Sequence, residues 1–286
     1  MTINRRDFLA SSASAALAAS SLSTALANGS KAQMKLGLVT YNWGKAWDIP
    51  TILKNCEAAQ FGGVELRSTH QHGVEINIDK KARREVVKQF NDSPVDLVGL
   101  GSACEYHSND PKVVKRNIED TKAFIKLCHD VGGTGVKVRP NGLPKGVPEE
   151  KTLEQIGKSL NEVAKFGAEY GVAIRLEVHG RQTAELPRIR KIMDIADHKN
   201  TVLCWNCNPS DMNGKGLEYN FNLVKERIGI IHIHDMTIGE YPWEQLFGLL
   251  KSIDFNGWTL LEEGKVPKDI VGAMKKNRAV WEKLVG

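Results

Sequence analysis

A regular alternation of short β-branched segments with longer amphipathic segments runs from Leu36 to the end of the chain and constrains the fold most. This alternation is typical of a parallel sheet wrapped by helices. Eight segments are predicted to be strands, at 36–42, 63–67, 96–101, 135–139, 172–178, 201–206, 229–234 and 257–262. Helices are predicted at 48–60, 80–91, 112–131, 150–169, 186–196, 221–227, 243–253 and 268–284.

Eight consecutive strand-helix units without a long linker favour a closed (β/α)8 barrel in an α/β chain of 286 residues. An open, doubly wound sheet is the alternative. It would need a glycine-rich phosphate turn after its first strand, and the segment Tyr41–Gly44, which reads Tyr-Asn-Trp-Gly, is not such a turn. The sequence therefore predicts a single barrel domain.

The first 27 residues have the pattern of an export signal. Asn4–Leu9 reads Asn-Arg-Arg-Asp-Phe-Leu, a twin-arginine motif, and an apolar stretch follows that ends in Ala25-Leu26-Ala27, a small-x-small cleavage pattern. We expect residues 1–27 to be a signal peptide and residues 28–286 to form the mature barrel in the periplasm or outside the cell. A membrane anchor is the alternative, but a span needs about 20 mostly apolar residues and this serine-rich stretch is too polar.

Charge and cysteine content limit the classes of partner. The net charge of +5 is spread along the chain without a basic block, so we expect no nucleic acid and a small molecule as the ligand. The five cysteines do not form the pattern of a disulfide framework. Cys204 and Cys207 have CxxC spacing, but they lie along a predicted strand, which favours strand residues over a redox pair.

Histidines concentrate at the end of the barrel where catalytic groups are expected. Active sites of such barrels lie at the carboxyl ends of the strands. Six of the eight histidines fall at or just after a predicted strand end, namely His70, His72, His107, His179, His232 and His234. This concentration indicates a functional site at the mouth of the barrel.

Alternation along the strands places further polar side chains in the interior. On the fifth strand Ile174, Leu176 and Val178 must face the helices, so the intervening side chains face inward. By the same alternation, and at the end of the eighth strand, the interior is predicted to hold Glu65, Arg67, Lys137, Arg139, Arg175, Glu177, His179, Asn206, His232, His234 and Glu262.

So many ionisable groups in one enclosed space are costly unless they pair or bind an ion. Two glutamates, one imidazole and an amide oxygen would suit Mn²⁺, Mg²⁺, Co²⁺ or Zn²⁺. The alternative is an interior salt-bridge network that links Glu65, Glu177 and Glu262 to Arg67, Lys137 and Arg175.

Three segments, Gly171–Gly180, Ile230–Asp235 and Asn256–Glu262, resemble those of the xylose isomerase-like barrel proteins, which include sugar epimerases, hydroxypyruvate isomerase and inosose dehydratase. The resemblance extends from about Leu36 to the end of the chain. It implies that Glu177, His232 and Glu262 are three of the four metal ligands. The fourth ligand of that family is usually an aspartate at the end of the sixth strand.

Asn206 occupies that fourth position and is the main departure from the family pattern. An amide oxygen can coordinate a metal but brings no charge. We therefore expect weaker metal binding, or recruitment of another group such as Asp211 or His179.

The resemblance also implies a mechanism, in which Glu177 and Glu262 flank a keto-sugar, one removing a proton and the other returning it through an enediolate. With His179 or Lys137 as a general acid, the same intermediate would expel a substituent, which would make the enzyme a lyase. Substrate contacts are expected from Glu65, Arg67, His70, His72, His107, Arg139 and His234, with Trp43 and Trp205 as walls for sugar rings.

Export and the absence of a phosphate-binding glycine loop near strands seven and eight favour an unphosphorylated keto-sugar or 3-keto-glycoside as substrate. Two other readings stay open: a non-catalytic carbohydrate-binding barrel, and a phosphodiesterase or endonuclease-like enzyme with several metals. We expect no membrane span in the mature chain, and formation of a homo-oligomer stays open.

Overall fold

The computed structural model describes residues 33–239 and 241–286, and the predicted signal peptide at residues 1–27 lies outside them. Eight parallel strands pair in chain order and close into a single barrel, which confirms the predicted fold class. The strands are β1 (Lys35–Val39), β2 (Gly63–Arg67), β3 (Asp96–Glu105), β4 (Gly135–Arg139), β5 (Ala173–Glu177), β6 (Thr201–Asn206), β7 (Ile228–Ile233) and β8 (Trp258–Leu261).

The helices cover the outside of the barrel, except that the first one is short and lies at its mouth. They are α1 (Tyr41–Gly44), α2 (Ile49–Ala59), α3 (Lys80–Asn91), α4 (Pro111–Asp130), α5 (Glu149–Glu169), α6 (Leu186–Ile195), α7 (Leu217–Val224), α8 (Trp243–Ser252) and α9 (Ile270–Val285), with short 3-10 helices at Pro209–Met212 and Lys225–Arg227. None of the helices in the described ranges is long and apolar enough to cross a membrane.

The predicted and observed elements differ at three places. β3 continues to Glu105 instead of residue 101, α7 begins at Leu217 instead of residue 221, and the first strand is shorter than predicted. β1 ends at Val39 instead of residue 42, because the backbone turns at Thr40, whose carbonyl accepts a hydrogen bond from the Gly44 N–H. The following residues form α1, which periodicity did not predict. This short helix determines which aromatic side chain reaches the mouth of the barrel.

Aspartate side chains define where four helices begin. Asp48, Asp79, Asp110 and Asp269 each accept a hydrogen bond from a backbone N–H in the first turn of α2, α3, α4 and α9, respectively. A side-chain oxygen at this position satisfies a donor that the helix itself leaves unpaired. The helix starts are thus encoded locally.

Glycines on β2, β3 and β4 make room inside the amino-terminal half of the barrel. A Cβ added at Gly99 would lie 2.6 Å from Nη1 of Arg175, and one at Gly63 would lie 2.6 Å from the Trp258 ring. Arg175 occupies this space and donates to the Val98 carbonyl and to Thr134 Oγ1. The amino-terminal half of the barrel interior is therefore a packed core, which supports the side chains toward the carboxyl ends of the strands.

All five cysteines are buried and none forms a disulfide within the described ranges. Cys204 lies on β6 and Cys207 directly follows it.

We predict that Gly99→Ala lowers the free energy of unfolding by about 1–3 kcal/mol, because the added methyl group has no space beside Arg175 and the Gly135 backbone. Urea unfolding monitored by circular dichroism measures this change. The matched control is Gly248→Ala on α8, where an added Cβ meets nothing within 4 Å. That variant should be about 0.5–1 kcal/mol more stable than the wild type, because alanine favours a helix. Equal effects at the two positions would contradict the packing argument.

Candidate active site and metal centre

Three potential metal ligands converge at the carboxyl end of the barrel. Glu177 ends β5, His232 lies on β7, and Glu262 directly follows β8. One ligand atom from each lies within 4.8 Å of the others, and all three residues are buried. Nδ1 of His232 is 3.2 Å from Glu262 Oε2 and 3.7 Å from Glu177 Oε1. One cation can therefore contact all three side chains.

A buried lysine holds one oxygen of Glu177. Lys137 Nζ donates to Glu177 Oε2 at 2.7 Å, and both side chains are almost completely inaccessible to solvent. Burial alone would raise the pKa of Glu177, but the Lys137 ammonium and His232 hold that pKa well below its usual value. Glu177 is therefore a carboxylate at neutral pH. Its Oε1 remains on the side of Asn206 and His232.

The salt-bridge network predicted as an alternative is present only in part. Lys137 pairs with Glu177, and Arg175 Nη1 lies 3.9 Å from Glu65 Oε2. Arg67 instead lies over the Tyr41 ring at 5.6 Å. Lysine and arginine therefore leave part of the negative charge at this site unpaired, which is consistent with a cation.

A buried acceptor atom without a hydrogen bond supports the same interpretation. Asn206 Oδ1 lacks a hydrogen-bond partner although it is shielded from water, and the Asn206 side chain lies beside Glu177. Buried polar atoms are normally satisfied, and leaving them unpaired is costly. A mixed set of carboxylate, imidazole and amide donors fits a divalent cation such as Mn²⁺, Co²⁺ or Zn²⁺.

Glu65 lies on the other side of the His232 ring from the two ligand carboxylates. Nε2 of His232 is 3.5 Å from Glu65 Oε1, while Nδ1 is directed at Glu262. Burial alone would lower the pKa of His232, but Cys204, Glu262 and Glu65 raise it well above its usual value. A carboxylate behind a ligating histidine orients the ring and increases its basicity. Glu65 is thus placed to orient the His232 ring. A substrate contact was predicted for Glu65, but the structure places it fully buried behind that ring.

The proposed substitutes for the missing aspartate do not join the cluster. Asp211 accepts hydrogen bonds from the Tyr241 hydroxyl at 2.7 Å and from the Asn208 N–H at 3.0 Å. Its burial raises its pKa to about 7. His179 has its Nδ1 3.1 Å from Asn141 Oδ1. In the part of the chain that the structure describes, Glu177, His232 and Glu262 form the one acidic and histidine group suited to a metal.

A cavity of about 330 Å³ opens onto this cluster. Eight of the predicted site residues line it, namely Arg67, Lys137, Arg139, Glu177, His179, Asn206, His234 and Glu262. The sequence analysis missed Tyr41, Asn208, Glu263 and Gly264, which also line it. Asn208, Glu263 and Gly264 follow strand ends, where alternation no longer applies, and Tyr41 lies on the short helix that periodicity did not predict.

Neither tryptophan expected as a sugar-stacking wall lines the cavity. Trp205 lies on the helix-facing side of β6, fully buried against Phe221, with its Nε1 donating to the Tyr241 hydroxyl. It alternates with inward-facing Asn206, so it cannot share that side of the strand. Trp43 is buried, and its Nε1 donates to the Lys265 carbonyl at 2.7 Å. Tyr41 from the same short helix lines the cavity instead.

Two of the predicted histidine contacts have structural partners in the loop after β2. Nδ1 of His72 accepts from the Val74 N–H, so its Nε2–H donates to the Arg67 carbonyl at 2.8 Å. His70 Nδ1 lies 3.2 Å from Thr40 Oγ1, and burial lowers its pKa to about 4. Both imidazoles stabilise the loop and neither lines the cavity. The predicted contact His107 lines a second, adjoining cavity.

A sequence model of the xylose isomerase-like TIM barrel family matches residues 53–284. The chain belongs to this family. The match confirms the resemblance carried by the segments around Glu177, His232 and Glu262. It does not by itself identify a substrate.

Two of the similar proteins are sugar epimerases. An L-ribulose 3-epimerase from Methylomonas sp. (strain DH-1) is 21% identical over 220 residues, which cover 72% of this chain and 76% of that protein. The crystal structure of a 3-keto-D-glucoside 4-epimerase from E. coli has a TM-score of 0.74 and 13% identity, covering 88% of this chain and 100% of that one.

A third similar structure is the IolI protein solved with a zinc atom. Its TM-score is 0.73 with 16% identity, covering 88% of this chain and 98% of that one. At these identities the two solved structures show a shared barrel fold.

We predict that Asn206→Asp increases affinity for Mn²⁺ about tenfold, since the variant adds a negative charge beside the cluster. Without metal the variant should unfold at a lower temperature than the wild type. Asn206 Nδ2 lies 3.4 Å from Glu177 Oε1, so a carboxylate at position 206 would repel the Glu177 carboxylate. Calorimetric titration and thermal unfolding with and without chelator measure both effects. Asn222→Asp, on the exposed face of α7, is the control and should change neither. Unchanged Mn²⁺ affinity in Asn206→Asp would contradict the position of the metal.

Proposed function

We propose that this family member is a metal-dependent sugar isomerase or epimerase, which moves a proton at the carbon beside a keto group. The convergence of Glu177, His232 and Glu262 within 4.8 Å at a sugar-sized cavity carries the proposal. The names of the relatives, L-ribulose 3-epimerase and 3-keto-D-glucoside 4-epimerase, support this class of reaction.

Glu177, Asn206, His232 and Glu262 would hold the divalent cation, which we propose to be Mn²⁺, Mg²⁺, Co²⁺ or Zn²⁺. When bound, it supplies a Lewis acid that stabilises negative charge developing on the substrate oxygens. The similarity to IolI, which was solved with zinc, supports a metal in this barrel.

The two glutamates are suited to act from different sides of one sugar carbon. Glu177 and Glu262 extend from β5 and β8, which lie three strands apart in the closed barrel. One carboxylate removes the proton to leave an enediolate, and the other returns a proton, on the opposite face in the case of an epimerase. Lys137 keeps Glu177 ionised and able to accept a proton, and it holds the carboxylate in one orientation.

We propose an unphosphorylated keto-sugar or 3-keto-glycoside as the substrate. A cavity of about 330 Å³ is at the small end of the roughly 300–1,000 Å³ range of ligand pockets, as expected for one sugar ring. Side chains of His234 and Glu263 offer hydrogen bonds to hydroxyl groups.

Elimination is a second candidate outcome of the same first step. His179 lines the cavity two residues beyond Glu177 on the same segment, where it can donate a proton to a leaving oxygen. A lyase would release a dehydrated or aglycone product, whereas an epimerase would retain all substrate atoms. A multi-metal endonuclease-like site has less support, because the described ranges contain a single suitable metal-binding group.

We expect the mature protein with Mn²⁺ or Co²⁺ to incorporate deuterium from D2O at the carbon next to the carbonyl of a keto-sugar or 3-keto-glycoside. Proton NMR and mass spectrometry detect the exchange and distinguish isomers from eliminated products. Glu177→Gln and Glu262→Gln should each slow exchange at least about 100-fold, which is typical for loss of a general base.

The control variant is Glu226→Gln, an exposed carboxylate at the opposite end of the barrel, and it should exchange at the wild-type rate. If the metal-loaded wild type exchanged no proton with any sugar of the panel, the proposed reaction would be wrong. Sugar binding that is indifferent to chelator would then favour a binding protein.

We further propose that residues 1–27 direct the protein through the twin-arginine route. Replacing Arg5 and Arg6 with lysine should retain the protein in the cytoplasm, because that route depends on the arginine pair. Cell fractionation and immunoblotting measure the distribution, with Lys31→Arg as a control outside the motif. Unchanged export of the double variant would overturn this proposal.

A further inference from the structure

We propose that a second cavity beside the first is a binding site for the aglycone sugar of a glycoside, so that the enzyme accepts substrates of disaccharide size. This inference rests on the proposed function and specifies its substrate class. The cavity has a volume of about 800 Å³. It is formed by the segments after β3, β4 and β5, at the same end of the barrel as the metal cluster.

Side chains joined by an ion pair and by hydrogen bonds form the wall between the two cavities. Arg139 and His179 line the cavity at the metal cluster, whereas Glu105 and Asn141 line the second one. Arg139 Nη2 lies 3.7 Å from Glu105 Oε2, and His179 Nδ1 lies 3.1 Å from Asn141 Oδ1. Asn141 also donates through Nδ2 to Glu105. A ligand that extends past this wall would occupy both cavities.

The backbone around the second cavity is held in an unusual conformation. Asn141 and Gln182 have φ values of 59° and 68°, in the left-handed region that residues other than glycine rarely adopt. Gly180 brings the two loops together, since a Cβ there would lie 2.5 Å from the Asn141 Cα. Backbone strain of this kind costs free energy and is concentrated at functional sites.

The lining combines amide groups with apolar surface. Asn109, Asn141 and Gln182 offer donors and acceptors to hydroxyl groups, and Asn109 and Gln182 are exposed to solvent. Val113, Leu143, Pro144 and Val147 supply apolar area against which the C–H face of a sugar ring can pack. This mixture suits a neutral, hydroxylated ring.

The acidic and basic side chains of the lining are either paired or exposed. The Glu105 carboxylate lies 3.7 Å from Arg139 Nη2 and accepts a hydrogen bond from Asn141. Lys145 and Arg181 are exposed to solvent, where their charge is screened. A second sugar unit is therefore the ligand that the lining fits.

The test compares two substrates that share one reacting ring. The probes are methyl 3-keto-glucosides and 3-keto-glucosides whose aglycone is glucose, in both anomers, assayed by deuterium exchange with Mn²⁺. The double variant Asn109→Ala/Gln182→Ala should raise KM for the glucose-bearing substrate roughly 10- to 30-fold, since it removes two ligand hydrogen bonds. KM for the methyl glycoside should stay within about twofold, because a methyl group does not reach the second cavity.

Gln71→Ala is the matched control, an exposed amide in the loop after β2 that lines neither cavity, and it should change neither KM. Equal changes for both substrates, or no change for either, would overturn the subsite even if exchange itself occurs.

A binding measurement separates this inference from the proposed reaction. Titration calorimetry with maltose, cellobiose and trehalose, none of which carries a keto group, should detect binding of at least one to the wild type and its loss in the double variant. If that pattern appeared without any proton exchange, the subsite would stand and the proposed function would fail. If the wild type bound none of the three, the subsite would be wrong.

Discussion

The 2.7 Å ion pair between Lys137 and Glu177 is the interaction on which the site depends. Two opposite charges removed from water are costly separately, and each is tolerated because the other is present. The lysine keeps one oxygen of the carboxylate occupied and leaves the other on the side of His232. Because both groups extend from neighbouring strands, β4 and β5, the barrel itself sets their separation.

The layer below supports this arrangement. Arg175 fills space that glycines leave open in the amino-terminal half of the barrel, and it lies 3.9 Å from Glu65. Glu65 in turn faces Nε2 of His232. A change deep in the core is therefore expected to alter the orientation of His232. The packing of the barrel and the chemistry at its mouth are parts of one continuous structure.

The loops above the strands determine the space available to a substrate. α1 removes Trp43 from the mouth and brings Tyr41 there, where its ring lies against Arg67. The loop after β2 uses His72 for its own hydrogen bonds. The loops after β4 and β5 meet at Gly180 and create the second cavity. Aromatic side chains near the mouth thus have different roles: Tyr41 lines the cavity, whereas Trp43 is buried and His72 stabilises its own loop.

The sequence alone was sufficient for the eight strands, for the closed barrel and for the inward direction of Glu177, Asn206, His232 and Glu262, because side-chain alternation is a local property of a strand. The same alternation assigns Trp205 to the helix-facing side, away from the cavity. Closure of the barrel brings ligand atoms of Glu177, His232 and Glu262, which are distant in the chain, within 4.8 Å of one another. Only the tertiary structure decided the roles of His70, His72, His107 and Trp43, because a loop has no periodicity and its side chains take partners from segments far away in the sequence.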